Sequence, residues 1–396
     1  MGVTLSAKNR NPFRPGNGIV PPFVAGRDNV LRSFRQILDE NSRGLPRNLI
    51  LYGLRGTGKT VMLQLFKEIC EEEGWLYVER EFNERFRDEE KFAEAFLRDL
   101  TNSASRVSLK KRVKEVGKKL GSSIKPEEVE AFGVKYKPFY KSEGTLLEDH
   151  LKESLIDDWN VIGKSQRKGL VFLYDEFHSI RDAEPNFPLA SLLGAMAHAQ
   201  RHGCRYVLVF AGLPNMRGYL KEAKTYVERM FAYIELGNLA PTEARRAIVD
   251  PLDVAQIRFE DDVVRTIVGE THGYPYFLQF YCYDLIERLN KNVIDATDYD
   301  RTHAEILSLL DKSFFEDRFE QVSGAEQEIL FAMARAGEEN IKTSEIGRRA
   351  HMDYQSMLVS LNRLVDKNVI YKTRKGRYSF ALPLFREFLL RKLNRT

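Results

Sequence analysis

NLILYGLRGTGKT, residues 48–60, joins a short apolar run, Leu49–Tyr52, to Gly53-Leu54-Arg55-Gly56-Thr57-Gly58-Lys59-Thr60, which fits the phosphate-binding pattern G-x-x-x-x-G-K-[ST] at every fixed position. The spacing has a chemical reason. A strand ends, glycines let the backbone curl so that successive N–H groups face one anion, and a helix N-terminus adds the positive end of its dipole. Lys59 supplies a point charge for the terminal phosphates and the Thr60 hydroxyl suits Mg²⁺. Gly53, Arg55, Gly56, Thr57, Gly58, Lys59 and Thr60 are therefore the candidate phosphate-binding set.

Working outward toward the C-terminus, Val61–Glu73 reads as an amphipathic helix and WLYVE, 75–79, as a strand, so a parallel βαβ unit is expected. GLVFLYDE, 169–176, is the second anchor: five apolar residues suit a strand buried on both faces, and two carboxylates emerge where open parallel sheets place their ligands. Asp175 is expected to hold Mg²⁺ and Glu176 to polarise an attacking water, which favours ATP hydrolysis over a kinase or a GTP switch. A helix over 188–201 and a strand over 205–211 follow, and then Asn215, which either positions the γ-phosphate or water or serves as a turn residue. Arg229, before a strand over 232–236, is a candidate arginine finger in cis or from a neighbouring subunit. Its plainer alternative is a salt bridge to Glu228 or Glu222.

The chain has 396 residues, 30% of them charged and 43% hydrophobic, which suits a globular protein of two or three domains. No apolar run is long enough for a membrane span and the N-terminus has no apolar signal core. Cys70, Cys204 and Cys282 have no paired spacing, so free thiols in a reducing cytoplasm are expected. The first 22 residues read as an extended arm, and Asp28 as the N-cap of a helix over 29–40. Residues 106–141 carry a net charge of +7. That tract is expected to lie in a solvated insertion over about 101–168, or to track a phosphate backbone through Lys118, Lys119, Lys125, Lys135 and Lys137.

Four helices without strands are expected over 241–252, 260–270, 275–290 and 297–315, interrupted at Asp250-Pro251 and Gly273-Tyr274-Pro275. The last 74 residues differ in kind. Ser323, then Thr343 or Ser344, then Asp353 are candidate caps of three helices, and Lys375-Gly376 turns a hairpin, which together make a winged helix-turn-helix. This segment has a net charge of +6, so the rest of the chain sums to −2. Gln355 and Arg363 on the third helix suit a major groove, and Lys372, Arg374, Lys375 and Arg377 on the wing suit phosphates or the minor groove of double-stranded DNA. Winged helices also dock proteins, and that alternative stands beside the DNA reading.

FVAGR at 23–27, LYGLRGTGKT at 51–60, LYDE at 173–176, AGLP at 211–214, ERMF at 228–231 and GYPYFLQ at 273–279 occur in an order that resembles the AAA+/STAND-type ATPases related to origin-recognition initiators. More closely it is similar to a bacterial and archaeal group of stand-alone ATP-binding proteins. The resemblance implies that Val24, Gly26 and Arg27 lie against the adenine and that Gly273 and Pro275 close the nucleotide from the lid side. Initiator-type relatives carry a sensor arginine at the start of a lid helix, where GYPYFLQ has none, and this favours the STAND-like variant.

The expected architecture is α/β: an arm and adenine-side segment (1–46), a P-loop ATPase core with a parallel sheet (47–239), a helical lid (240–322) and the winged helix (323–396). The expected function is an Mg-ATP-dependent switch, cytoplasmic and away from membranes, that hydrolyses ATP and binds DNA. The alternative is a regulatory ATPase that docks a protein partner or a second copy of itself.

Overall fold

A computed structural model describes residues 10–16, 18–116, 139, 146–337 and 340–394, with the backbone alone for 108–116. The chain divides into two compact units. One holds Arg27–Gly53 and Lys59–Leu236; the other holds the N-terminal residues up to Gly26, Leu54–Gly58 and everything from Gly237 onward.

In the first unit, β1 (Asn48–Tyr52), β2 (Leu76–Glu81), β3 (Leu170–Asp175), β4 (Tyr206–Gly212) and β5 (Phe231–Glu235) form an all-parallel sheet in the order β2-β3-β4-β1-β5. Every residue of β1, β3 and β4 is buried, which is why these strands read as unbroken apolar runs. Since all five strands run the same way, Tyr52, Asp175, Gly212 and Glu235 share one edge of the sheet. Ligands of open parallel sheets collect at that edge.

The helices of this unit are α1 (Asp28–Ser42), α2 (Lys59–Glu72), α3 (Glu89–Val116), α4 (Leu147–Ile162), α5 (Pro188–Arg201), α6 (Met216–Ala223) and α7 (Val227–Met230). Asp28 does not cap α1: the helix begins at Asp28 itself, and Arg27 in the cap position makes no side-chain cap bond. The insertion expected over 101–168 is corrected at both ends. α3 continues to Val116, and α4 buries Leu147, Leu151, Leu155 and Ile162 in the same core as β3 and α5. Leucines four apart make one face of a helix even when acids fill the other positions, so α4 belongs to the core rather than to a solvated excursion. Lys118, Lys119, Lys125, Lys135 and Lys137 lie outside the described residues.

The second unit begins with α8 (Pro241–Ala255), β6 (Arg258–Phe259), α9 (Asp261–Thr271), α10 (Pro275–Leu289), β7 (Val293–Ile294) and α11 (Ala296–Leu310). Two expectations fail here in detail. β6 and β7 form a short parallel pair, too brief to leave a sequence signal, and α8 runs through Pro251, which costs one backbone hydrogen bond near the helix end. The N-terminal arm lies along these helices. Phe13 is buried, Asn11 Nδ2 donates to Tyr283 O at 3.1 Å and Arg14 N donates to Gln279 Oε1 at 2.9 Å.

α11 continues through a π-helical segment, Asp311–Glu316, into α12 (Asp317–Glu320). There follow α13 (Gly324–Ala336), β8 (Ile341–Lys342), α14 (Thr343–Ala350), α15 (Tyr354–Asp366), β9 (Ile370–Arg374), β10 (Arg377–Phe380) and α16 (Phe385–Leu393), with the strands antiparallel in the order β8-β10-β9. The boundary expected at 322/323 is crossed by one continuous core, in which Phe315 contacts Phe385 and Phe388.

Asp353 caps α15 by accepting from Gln355 N and Ser356 N, whereas α14 starts at Thr343 with no side-chain cap. Ser323 and Glu326 form a reciprocal capping box, and Lys367 Nζ donates to Glu326 Oε2 at 2.7 Å. Burial would raise the Glu326 carboxyl, but Lys367 and the Ser323 N–H outweigh it and hold its pKa below the ordinary glutamate value. A depressed carboxylate stabilises the fold above its unfolded pKa and loses that contribution as pH falls through its folded value. Glu326→Gln should therefore cost about 1–2 kcal/mol at neutral pH, with the difference from wild type shrinking as pH falls below the ordinary glutamate range in urea titrations.

Candidate active site

In the sheet unit, Lys59, Thr60, Asp175 and Glu176 gather at the C-terminal edge of the strands. Lys59 opens α2 and donates from Nζ to Gly53 O at 3.0 Å. One residue on, Thr60 Oγ1 donates to Asp175 Oδ2 at 2.6 Å, so two residues 115 apart in sequence meet. Asp175 is only 8% exposed, and burial raises its pKa even though Thr60 and the Glu176 N–H pull it down. A hydroxyl and a carboxylate in direct contact fit Mg²⁺, which takes one or two carboxylates and fills its remaining positions with water and phosphate oxygens. Among the described residues no larger cluster of acidic, histidine or cysteine ligands competes for a metal.

Glu176 follows β3 in a left-handed conformation, φ +50°, with its N–H donating to Asp175 Oδ1 at 2.8 Å. A non-glycine residue held there stores backbone strain of about 1–3 kcal/mol, a recurrent feature of active sites. Its carboxylate lies 3.6 Å from Nε2 of the buried His178, a neighbour not singled out from the sequence.

Asn215 stands just past β4. Its side chain makes no cap bond to α6, Nδ2 donates to Tyr219 OH at 3.4 Å, and the buried Oδ1 has no hydrogen-bond partner among the described residues. Pro214 and Asn215 are the central residues of a turn in which Met216 N donates to Leu213 O at 3.1 Å, so the turn role weighed for Asn215 is observed.

Arg229 is not brought to this edge. It precedes β5, whose first residue pairs with Asn48 at the start of β1, so a strand length of about 16 Å separates it from Gly53 and Lys59 in its own chain. The cis role is corrected by strand direction. Arg229 is exposed and lines a cleft with Glu40, Arg47 and Glu228, while Glu228 pairs with Lys221 instead.

At the catalytic edge the nearby arginine is Arg217. Its guanidinium lies 5.0 Å from the Tyr52 ring and 5.2 Å from the Tyr233 ring, and Nη1 donates to Tyr52 OH at 3.2 Å. The sequence clue was its position two residues past Asn215.

The second unit gathers the residues implied for the base side. Gly26 and Gly273 both take positive φ and both lie against Leu239, and Leu239 N donates to Gly273 O at 2.9 Å. Pro275 occupies the first turn of α10, where its missing N–H has no cost. Val24 is half-buried beside them in sequence, and Arg27, assigned to the sheet unit, is buried. The loop residues Leu54–Gly58 are grouped here as well. Thr57 Oγ1 donates to Leu54 O at 2.9 Å, and Tyr274 OH donates to Arg55 O. Gly56 has φ +74°, and a Cβ there would come within 2.7 Å of the Tyr274 ring, so only glycine fits.

In the C-terminal module, Gln355 and Arg363 are exposed on α15, next to Tyr354 at 61% and Val359 at 51% exposure, neither of which had been singled out. Lys372, Arg374 and Lys375 are exposed on the hairpin, which Gly376 turns at φ +70°. Arg377 is half-buried and donates from Nη1 to Asn340 O at 2.7 Å, so it braces β10 against the residue before β8.

Residues 24–209 match the family of the AAA ATPase domain, and residues 312–389 match a domain of unknown function. No curated protein is detectably similar in sequence. Among solved structures, a Walker-type ATPase of Pyrococcus abyssi is 14% identical, with 93% of this chain and 96% of that one aligned at a TM-score of 0.58. The ORC1 protein of Aeropyrum pernix, solved in complex with DNA, is 17% identical over 95% of each chain, with a TM-score of 0.41. The RuvB Holliday junction branch migration motor of Thermotoga maritima is 15% identical over 90% of this chain and 92% of that one, with a TM-score of 0.43. At these identities the likeness to the Pyrococcus protein is one of fold.

Proposed function

We propose, from the match of residues 24–209 to the AAA ATPase domain family, an Mg-ATP-dependent switch in which Glu176 drives hydrolysis and the C-terminal module engages DNA. The observation that carries the catalytic part is the Thr60–Asp175 hydrogen bond at the mouth of the phosphate loop, with Glu176 next in line. Lys59 exchanges its bond to Gly53 O for phosphate oxygens when nucleotide enters. Thr60 and Asp175 are the residues that would hold Mg²⁺, and bound Mg²⁺ neutralises charge on the phosphates. Glu176 accepts the proton of the attacking water, and Asn215 directs its amide to the same water or to the terminal phosphate. Hydrolysis then returns the loop to its diphosphate-bound state. Arg229 serves a neighbouring copy: hydrolysis per subunit should rise with protein concentration, and Arg229→Ala should remove that dependence.

We read α14, α15 and the β9–β10 hairpin as a winged helix, and the DNA part rests on that reading, with Gln355 and Arg363 exposed on α15. Lys372, Arg374 and Lys375 add charge on the wing and make no ion pair among the described residues. The test is a salt series with duplex DNA. Phosphate-driven binding weakens steeply as salt rises, and three wing cations predict a slope of about −3 from the wing alone. Arg374→Glu with Lys375→Glu should weaken binding at least tenfold while leaving ATP hydrolysis unchanged. Arg377 is a poor choice for this test because its loss would also release Asn340.

The exposed Tyr354 and Val359 favour the alternative of a protein partner docking on α15. Absence of duplex binding even at low salt would put that reading ahead.

A further inference from the structure

The residues after Glu176 form a single 3₁₀ turn, Phe177–Ser179, closed by Ser179 N donating to Glu176 O at 3.0 Å and Ile180 N to Phe177 O at 3.1 Å. The turn is anchored at both ends. Phe177 stacks on Phe210 of β4 with ring centroids 3.7 Å apart, and Arg87 Nε donates to Ser179 O at 2.9 Å. Between these anchors lies the buried His178. It packs so closely on the end of β4 that a Cβ added at Gly212 would come within 3.0 Å of the His178 backbone N and 3.2 Å of its Cβ. The imidazole therefore stands on a backbone that cannot move toward β4.

The Glu176 side chain is freer, with 32% of it exposed, and among the described residues its carboxylate has one polar partner, Nε2 of His178 at 3.6 Å. That is an ion-pair distance, and a small rotation of the glutamate side chain shortens it to a hydrogen bond. A base left to wander is a poor base: a misplacement of about 1 Å can cost about 10²-fold in rate. With Oε2 held by an N–H of the fixed ring, Oε1 remains as the acceptor for a water proton. An Nε2–H is present in one tautomer of the neutral imidazole as well as in the charged ring, so the hold needs no change of protonation.

We propose that His178 is the positioning residue for Glu176: its Nε2–H holds Oε2 and leaves Oε1 turned to the attacking water. It acts through Glu176 and touches neither the nucleotide nor the water. The inference rests on the reading of Glu176 as the base. It also gives the close approach at Gly212 a consequence, since any side chain there would push on the turn that carries the imidazole.

Single-turnover phosphate release from Mg-ATP by the full-length protein, beside calorimetric binding of a non-hydrolysable ATP analogue, tests this. His178→Phe keeps a ring in the buried place and removes the N–H, so turnover should fall by about 10²-fold. Analogue affinity should stay within about threefold of wild type, the pattern of a group that matters only in the transition state. His178→Gln, whose amide N–H reaches about as far as Nε2, should regain about tenfold of the loss. In the Glu176→Gln background His178→Phe should cost nothing further, as expected of two residues that act as a unit. Three results would each overturn the inference: unchanged turnover in His178→Phe, a loss that His178→Gln does not reduce, or an undiminished effect of His178→Phe on Glu176→Gln. His178→Leu takes the place of the phenylalanine variant if that one does not fold. Glu176→Gln alone separates the two levels. If it turns over at the wild-type rate, Glu176 is not the base and both readings fall; if it is impaired while His178→Phe is not, Glu176 stands and only His178 is removed.

Discussion

Glu176→Gln should keep nucleotide affinity within about threefold of wild type and lose turnover by about 10²–10⁴-fold, the range for removing a positioned general base. The asymmetry follows from where Glu176 sits. Thr60 and Asp175 meet without it, and its own side-chain neighbour is His178, so the amide changes proton acceptance and little else. Its left-handed backbone is retained because glutamine is nearly isosteric with glutamate. Single-turnover phosphate release beside calorimetric binding of ATP distinguishes the two effects. Steady-state hydrolysis at the wild-type rate would remove Glu176 from the mechanism.

The largest effect on stability is expected at Arg391→Ala. Asp311, only 4% exposed at the start of the π-helical segment, is held by the Arg391 guanidinium of α16, with Nε donating to Oδ2 at 3.1 Å and Nη2 to Oδ1. Removing the arginine strands a buried carboxylate, at a cost of about 3–5 kcal/mol. The melting temperature of the nucleotide-free protein should fall by about 6–20 °C. Asp311→Leu combined with Arg391→Leu should recover most of the loss, since replacing both charges by packed apolar groups is close to neutral. A melting temperature that does not move in Arg391→Ala would mean that solvent already screens the pair.

The parts of the fold that were legible in the sequence are those whose signals are local. β1, β3 and β4 are buried along their whole length and announce themselves as apolar runs. The phosphate loop and Asp175-Glu176 follow from spacing, and α8–α11 from apolar periodicity with Pro and Gly at their ends. α4 was hidden because Leu147, Leu151 and Leu155 are diluted by acids inside a tract whose charge dominates any windowed reading. β6 and β7, of two residues each, lie below the length at which alternation can be seen. The position of Arg229 was implicit in strand direction, since a residue that precedes a parallel strand cannot stand at its C-terminal edge. Arg217 could not be found this way, because what marks it is contact with a ring distant in sequence, Tyr52.

The π-helical segment also fixes a rotational phase. An α-helix advances about 100° per residue, so a π turn amounts to one surplus residue whose removal would let regular α geometry run through. Deleting a single residue such as Lys312 would therefore be absorbed, the segment relaxing to α geometry with Phe319 close to its present phase, whereas inserting one has no such reserve and would carry the residues beyond it about 100° around the helix axis. Phe319 would then leave its contact with Phe388. In the segment between α11 and α12, an insertion should be tolerated far worse than a deletion or a substitution that preserves length.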